Sequence, residues 1–191
     1  MKIDQGTTFG TWQDDTSRLI YHDAMPALLN GINTTGTVGD YGGGNGLMKK
    51  FIPHATTLDI DADKNPDLVV DCFNYCGRFD LVLMRYLLHY MSDPDVVQLL
   101  KHIAFYKSPR ILIIQFVNND LAAKKANSVN ESKWFRSEQQ LFALVKKSGW
   151  VVRQRKALEY QVSAEFYFNR LRHKNATPHA ETILCLELVR P

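Results

Sequence analysis

The stretch Val38-Gly39-Asp40-Tyr41-Gly42-Gly43-Gly44-Asn45-Gly46 decides the reading of this chain. A short apolar run enters an acid and then a turn in which four of five residues are glycine, and a helix-like segment, 47–51, follows. Glycines there let the backbone approach a ligand closely at the carboxyl end of a parallel strand, where open α/β sheets bind their ligands. The dinucleotide fingerprint G-x-G-x-x-G would need glycine at 47 or 49, and those positions hold Leu47 and Lys49. The phosphate loop G-x-x-x-x-G-K-[ST] fails as well, because the chain has no Gly-Lys dipeptide.

The pattern that does fit is Asp-x-Gly-x-Gly-x-Gly, formed by Asp40, Gly42, Gly44 and Gly46. Thirteen residues after Gly46 a second strand pattern ends at Asp59, in Thr57-Leu58-Asp59-Ile60-Asp61. A carboxylate at such a strand end can accept hydrogen bonds from both ribose hydroxyls of a nucleoside. Asp71 closes a third run, Leu68-Val69-Val70, where it can face an adenine amino group. Each of these taken alone reads as a loop glycine or a solvated acid. Three successive strand ends offering glycine, Asp and Asp to one crevice point to a nucleoside site.

Outward from this core, short β-branched or aliphatic runs alternate with helical periodicity, the signature of a parallel α/β sheet. Strands are expected at 36–41, 56–60, 68–70, 79–84, 111–117, 150–155 and 182–189. Leu19, Ile20, Ala24, Leu28 and Leu29 share one face of an N-terminal helix, 13–31, which Pro26 bends or restarts. Ser92-Asp93-Pro94-Asp95 supplies a cap, a first-turn proline and dipole-favouring acids. Ser137 and Gln140 form a capping box for a helix that Gly149 ends. The last forty residues break the alternation, since 155–181 is aromatic and polar without a clear period. The final run, with Ile183, Leu184, Leu186, Leu188 and Val189, is apolar on both faces. It therefore reads as an antiparallel strand joined hairpin-like to the one before and inserted into the sheet rather than lying at its edge.

The bulk properties agree with one soluble domain over 1–191, with 45% hydrophobic and 23% charged residues. No apolar run approaches the roughly 18 residues of a membrane span, and no leader pattern opens the chain, so a cytoplasmic protein without membrane association is expected. Cys72, Cys76 and Cys185 match neither a zinc ribbon nor a redox pair and read as free thiols. Charge is uneven: residues 1–100 carry 7 Lys/Arg against 13 Asp, and 101–156 carry 12 against 3 acids. A basic segment can meet nucleic acid, but helix-like spacing such as Lys146/Lys147 favours a solvated face.

With these residues in hand, the sequence resembles the class I S-adenosylmethionine-dependent methyltransferases over 21–190. Within them it looks closer to one branch, the small-molecule O-methyltransferases of the plant caffeate and hydroxyneurosporene type. The segment Phe79-Asp80-Leu81-Val82-Leu83-Met84-Arg85-Tyr86-Leu87-Leu88-His89-Tyr90-Met91-Ser92-Asp93 is similar to that branch's strand followed by Lys/Arg, three residues and His-Asp-Trp-Ser-Asp. The resemblance implies a Rossmann-like, seven-stranded, mostly parallel sheet with an antiparallel C-terminal strand and helices on both faces. It implies S-adenosyl-L-methionine as cofactor, with Asp40, Gly42 and Gly44 against its methionine part, Asp59 and Ile60 at the ribose, and Asp71 and Cys72 at the adenine. Arg85 would meet the methionine moiety, and His89 would be the general base or a wall of the site. If 86–91 forms a helical turn, Arg85 and His89 project to the same side. Tyr90 stands where the branch usually has Asp, and the branch's long N-terminal dimerisation domain is not part of this sequence, which leaves base and oligomeric state, monomer or homodimer, open.

Absences narrow the acceptor. The Asn/Asp-Pro-Pro-Tyr of base and glutamine methyltransferases is replaced by Met84-Arg85-Tyr86-Leu87, and no Pro-Cys nucleophile occurs. The catechol type needs an acid after the fourth strand that this chain lacks, so no metal is expected. The resemblance implies a small-molecule acceptor methylated at a hydroxyl oxygen, with Tyr21, Tyr167 and Glu165 expected to touch it and the segments 13–31 and 158–180 expected to cap it. RNA or protein methylation, and a non-catalytic cofactor-binding role, are the alternatives.

Overall fold

The computed structural model describes residues 19–117, 134–162 and 179–191. Seven strands form one sheet in the order β3-β2-β1-β4-β5-β7-β6. They are β1 (Val38–Tyr41), β2 (Thr56–Asp59), β3 (Leu68–Val69), β4 (Leu81–Arg85), β5 (Arg110–Val117), β6 (Val151–Val162) and β7 (His179–Val189). Strands β1 to β5 pair in parallel, and β7 runs antiparallel to both β5 and β6. The insertion of the final strand between its predecessor and β5 is as the two-faced apolar pattern requires. Strand order reverses between β1 and β4, and such a reversal opens a crevice at the strands' carboxyl ends.

Period-two alternation in β4, β5 and β7 sends apolar residues to both sides. On one side Val82, Met84, Ile111, Ile113, Leu184 and Leu186 pack against α2 (Asp93–Phe105) and α3 (Glu138–Lys147). On the other, Leu81, Leu83, Leu112, Ile114 and Ile183 cover Ala24, Met25 and Leu28 of the N-terminal segment, whose α1 spans Met25–Leu29. A π-helical turn, Leu19–Asp23, precedes α1, and Pro26 lies in its first turn, where a missing N–H costs nothing.

Both capping boxes form. The Ser92 side chain accepts from Asp95 N while Asp95 reaches back to Ser92 N, and Ser137 and Gln140 do the same for α3. These boxes fix where each helix leaves the loop on the ligand side of the sheet.

Three expectations need correction. Strand β6 runs past 155 to Val162, because Leu158 and Tyr160 continue the inward alternation that Arg155 and Lys156 obscure. Lys156 instead donates its Nζ to Leu28 O at 3.1 Å and to Asn30 O, satisfying carbonyls at the end of α1. The 47–51 segment forms only a 3₁₀ turn, Leu47–Lys50. Third, 86–91 is not one helical turn: Tyr86 adopts φ +53° and only Leu88–Tyr90 is a 3₁₀ turn, so the i, i+4 argument for Arg85 and His89 does not apply. Among the described residues no helix is long and apolar enough to cross a membrane.

Candidate active site at the carboxyl ends of the strands

The glycine turn leaves β1 tightly. Gly42 (φ +67°) donates its N–H to Leu58 O at 2.8 Å, and a Cβ there would meet the Leu87 side chain at 2.6 Å. A Cβ on Gly43 would lie 2.4 Å from Asp40 Oδ2, so the loop rests directly on that carboxylate. Gly44 (φ +56°) differs, because a Cβ there would meet nothing within 4 Å. Its N–H donates to Asp59 Oδ2 at 2.8 Å, and Asp61 N donates to Asp59 Oδ1 at 2.9 Å. Each oxygen of Asp59 thus receives one backbone amide and keeps a second lone pair for another donor.

The remaining acids follow along the sheet. Ile60, beside Asp59, is 52% exposed, unusual for an isoleucine at a strand end. Asp71 accepts from Phe73 N at 2.9 Å, which turns the chain after β3. Cys72 is half-buried, and burial, with the neighbouring Asp71 adding to it, pushes its thiol up to about 12. It is therefore a neutral surface, not a nucleophile.

Asp40 is the anomaly of the site. It is 1% exposed, and neither of its carboxylate oxygens has a hydrogen-bond partner. Burial raises its pKa to about 7, the Arg85 guanidinium opposes that shift, and Asp59 adds to it. Arg85, at the end of the adjacent β4, lies 5.5 Å from the Tyr86 ring centroid. A buried acid with no donor is costly in a folded protein, and a donor brought to it would offset that cost.

His89 sits beyond β4 and is 4% exposed. Its Nδ1 is 3.3 Å from Gln115 Nε2, which projects from β5, and its ring lies against Tyr90 and Phe116 at centroid distances of 4.0 and 4.9 Å. Phe116 in turn stacks on Tyr86 at 5.0 Å. Arg85 and His89 are thus linked through this aromatic pair rather than by a helix face. Two residues escape a reading of the sequence. Gln115 had a signal, a lone amide near the end of the aliphatic β5, whereas Arg136 reads as one more charge of the basic segment although it is buried.

Of the expected acceptor residues, Glu165 and Tyr167 lie outside the described residues, and nothing is described of the Tyr21 side chain. Among the described residues no group of three or more His, Cys, Asp or Glu could hold a metal ion.

No family model and no curated protein matches the chain. Solved structures do. Magnesium protoporphyrin IX methyltransferase ChlM from Synechocystis PCC 6803, with bound S-adenosylhomocysteine, superposes with a TM-score of 0.61 at 17% identity, over 96% of this chain and 90% of that one. A SAM-dependent methyltransferase from Methanosarcina mazei gives a TM-score of 0.63 at 11% identity, over 86% and 97%. The mitomycin 7-O-methyltransferase MmcR gives 0.60 at 22%, covering 98% of this chain and 62% of its own. The chain therefore has the Rossmann-like fold of the class I methyltransferases.

Proposed function

We propose that this protein is an S-adenosylmethionine-dependent methyltransferase that acts on a small molecule, at a hydroxyl oxygen. The observation that carries the cofactor is the buried, partnerless Asp40 beneath a glycine turn whose Gly44 opens onto free space beside Asp59. A cationic ammonium donor would satisfy Asp40, and a ribose diol would use the second lone pairs of Asp59. Arg85 would pair with a carboxylate, and the exposed Ile60 and neutral Cys72 would flank an adenine ring. The bound cofactor supplies an electrophilic methyl group for in-line displacement, so the chain's own work is orientation and proton removal.

The hydroxyl acceptor rests on His89. As a base, its Nε2 must carry the lone pair, which requires the proton on Nδ1 and the Gln115 amide turned so that its oxygen accepts it. Placed the other way, Gln115 Oε1 has no hydrogen-bond partner. The turned amide sets that oxygen on the Nδ1 proton, which puts the imidazole lone pair on Nε2, the atom that would take a proton from the acceptor. The two O-specific or porphyrin-directed methyltransferases of the same fold support a small-molecule acceptor over a macromolecule.

Calorimetry with S-adenosylhomocysteine tests the cofactor, and radiolabelled methyl transfer to a panel of phenols and enols tests the acceptor. Binding of NAD in place of S-adenosylhomocysteine would refute the reading.

A further inference from the structure

The turn that bears His89 is held both by its own backbone and from a distant segment. Its internal hydrogen bonds are Tyr90 N to Leu87 O at 3.1 Å and Met91 N to Leu88 O at 3.2 Å. The residues just before α3 hold it as well. Arg136 is 7% exposed and donates Nη1 to Leu88 O at 2.7 Å, Nη2 to Met91 O at 2.6 Å and Nε to Asp93 Oδ1 at 2.8 Å. Trp134 N donates to His89 O at 2.7 Å. Residues 88, 89, 91 and 93 are thus all held from 134–136.

Stability alone does not account for this arrangement. Desolvating a cation costs several kcal/mol, and a well-packed apolar side chain of similar volume is often equal or better at a buried ion-pair position. What a guanidinium offers is a rigid planar fork that meets three acceptors in fixed directions, which the single nitrogen of lysine cannot reproduce.

We infer that Arg136 is a positioning residue that sets the orientation of the His89 imidazole against Gln115, and that the segment before α3 controls the acceptor side of the site through it. The inference rests on the reading of His89 as an acceptor-side residue. The hydrogen bonds of Arg136 go to Leu88, Met91, Asp93 and Trp134 and not to the glycine turn or Asp59, so its effect is expected on the imidazole rather than on cofactor binding.

The test uses the full chain labelled with ¹⁵N-histidine, with the His89 signal assigned from His89→Gln. The ring ¹⁵N shifts distinguish a proton on Nδ1 from one on Nε2, a signature that a merely structural residue would not move. In Arg136→Lys the His89 shifts are expected to move toward the values of a freely exchanging imidazole, while S-adenosylhomocysteine affinity by calorimetry stays within about threefold of wild type. Asp93→Asn is a milder second variant, because the Asp93 side chain is 55% exposed and asparagine keeps its shape. It weakens one arm of the clamp and is expected to shift the same signals by a smaller amount. Wild-type His89 shifts in a folded Arg136→Lys protein overturn the inference. If that variant does not fold, wild-type shifts in Asp93→Asn overturn it. Failure of the wild type to bind S-adenosylhomocysteine would instead overturn the functional reading, since the His89 signature is read without ligand.

Discussion

The backbone N–H of Gly44 meets the Asp59 carboxylate at 2.8 Å, so the turn after β1 and the end of β2 form one hydrogen-bonded unit across the site. The acid expected to hold a ribose is therefore already oriented by the chain itself, with Asp61 N fixing its other oxygen. Preorganisation of this kind lowers the ordering cost of binding.

Asp59→Ala removes both the ribose acceptor and the tie to Gly44. Loss of a charge-assisted contact of about 2 to 3 kcal/mol corresponds to roughly 30- to 150-fold in affinity for S-adenosylhomocysteine. Calorimetry that finds the affinity unchanged would remove Asp59 from the site.

Gly44→Ala places a methyl group where nothing lies within 4 Å, at φ +56°. The fold should survive at a cost of about 1 to 2 kcal/mol for the left-handed backbone, while ligand affinity falls at least tenfold because the methyl occupies the ligand's space. Thermal unfolding and calorimetry on the same sample separate the two effects, and intact binding would show that the ligand lies elsewhere.

Asp40 carries a pH prediction. Its pKa is raised to about 7 in the folded protein, chiefly by burial, so between about pH 4 and 7 the folded state holds a proton that the unfolded state has lost. Its contribution to stability is full below about pH 4, declines as pH rises through that window and is lost above about 7. Urea unfolding at a series of pH values should show this decline in the wild type and a flatter profile in Asp40→Asn. Pairing with a ligand ammonium ionises Asp40, so binding near pH 6 should release protons, measured from the buffer dependence of the calorimetric enthalpy. Equal proton release in Asp40→Asn would count against the ammonium contact.

His89→Ala should lower turnover by about 10² to 10⁴-fold, the usual contribution of a general base, with ligand affinity changed only a few-fold. Gln115→Leu should lower turnover in the same direction, because Nδ1 then loses the partner that fixes its proton. Near-normal turnover in His89→Ala would leave the imidazole as a wall of the site and make an amine or an already ionised oxygen the better acceptor.

Much of this was legible because local chemistry and tertiary context agree. The Asp-x-Gly-x-Gly-x-Gly turn, the acid ending β2, the Ser92 cap, the Ser137 capping box and the two-faced final strand each have a sequence period or spacing that the fold obeys. What the sequence hid depends on contacts between distant residues. Arg136 lies 45 residues beyond Met91, and nothing in its neighbours distinguishes it from the solvated lysines around it. The left-handed Tyr86 was equally hidden, since a tyrosine carries no preference for that backbone, and it took the helical relation between Arg85 and His89 with it. The length of β6 was masked by its exposed charges, which belong to an edge strand that has to stay unattractive to other chains.

The place of β7 between β5 and β6 has a consequence for how the protein is made. Strand β5 has a bare edge on one side, and β6 has no neighbour at all, until residues 179–189 have been synthesised. The nascent chain thus carries an open apolar edge for the time it takes to translate some sixty further residues, roughly 3 to 12 seconds at about 5 to 20 residues per second. Ribosome-stalled chains that stop short of β7 should accordingly be held by chaperones or digested by proteases, and those that include it should be neither.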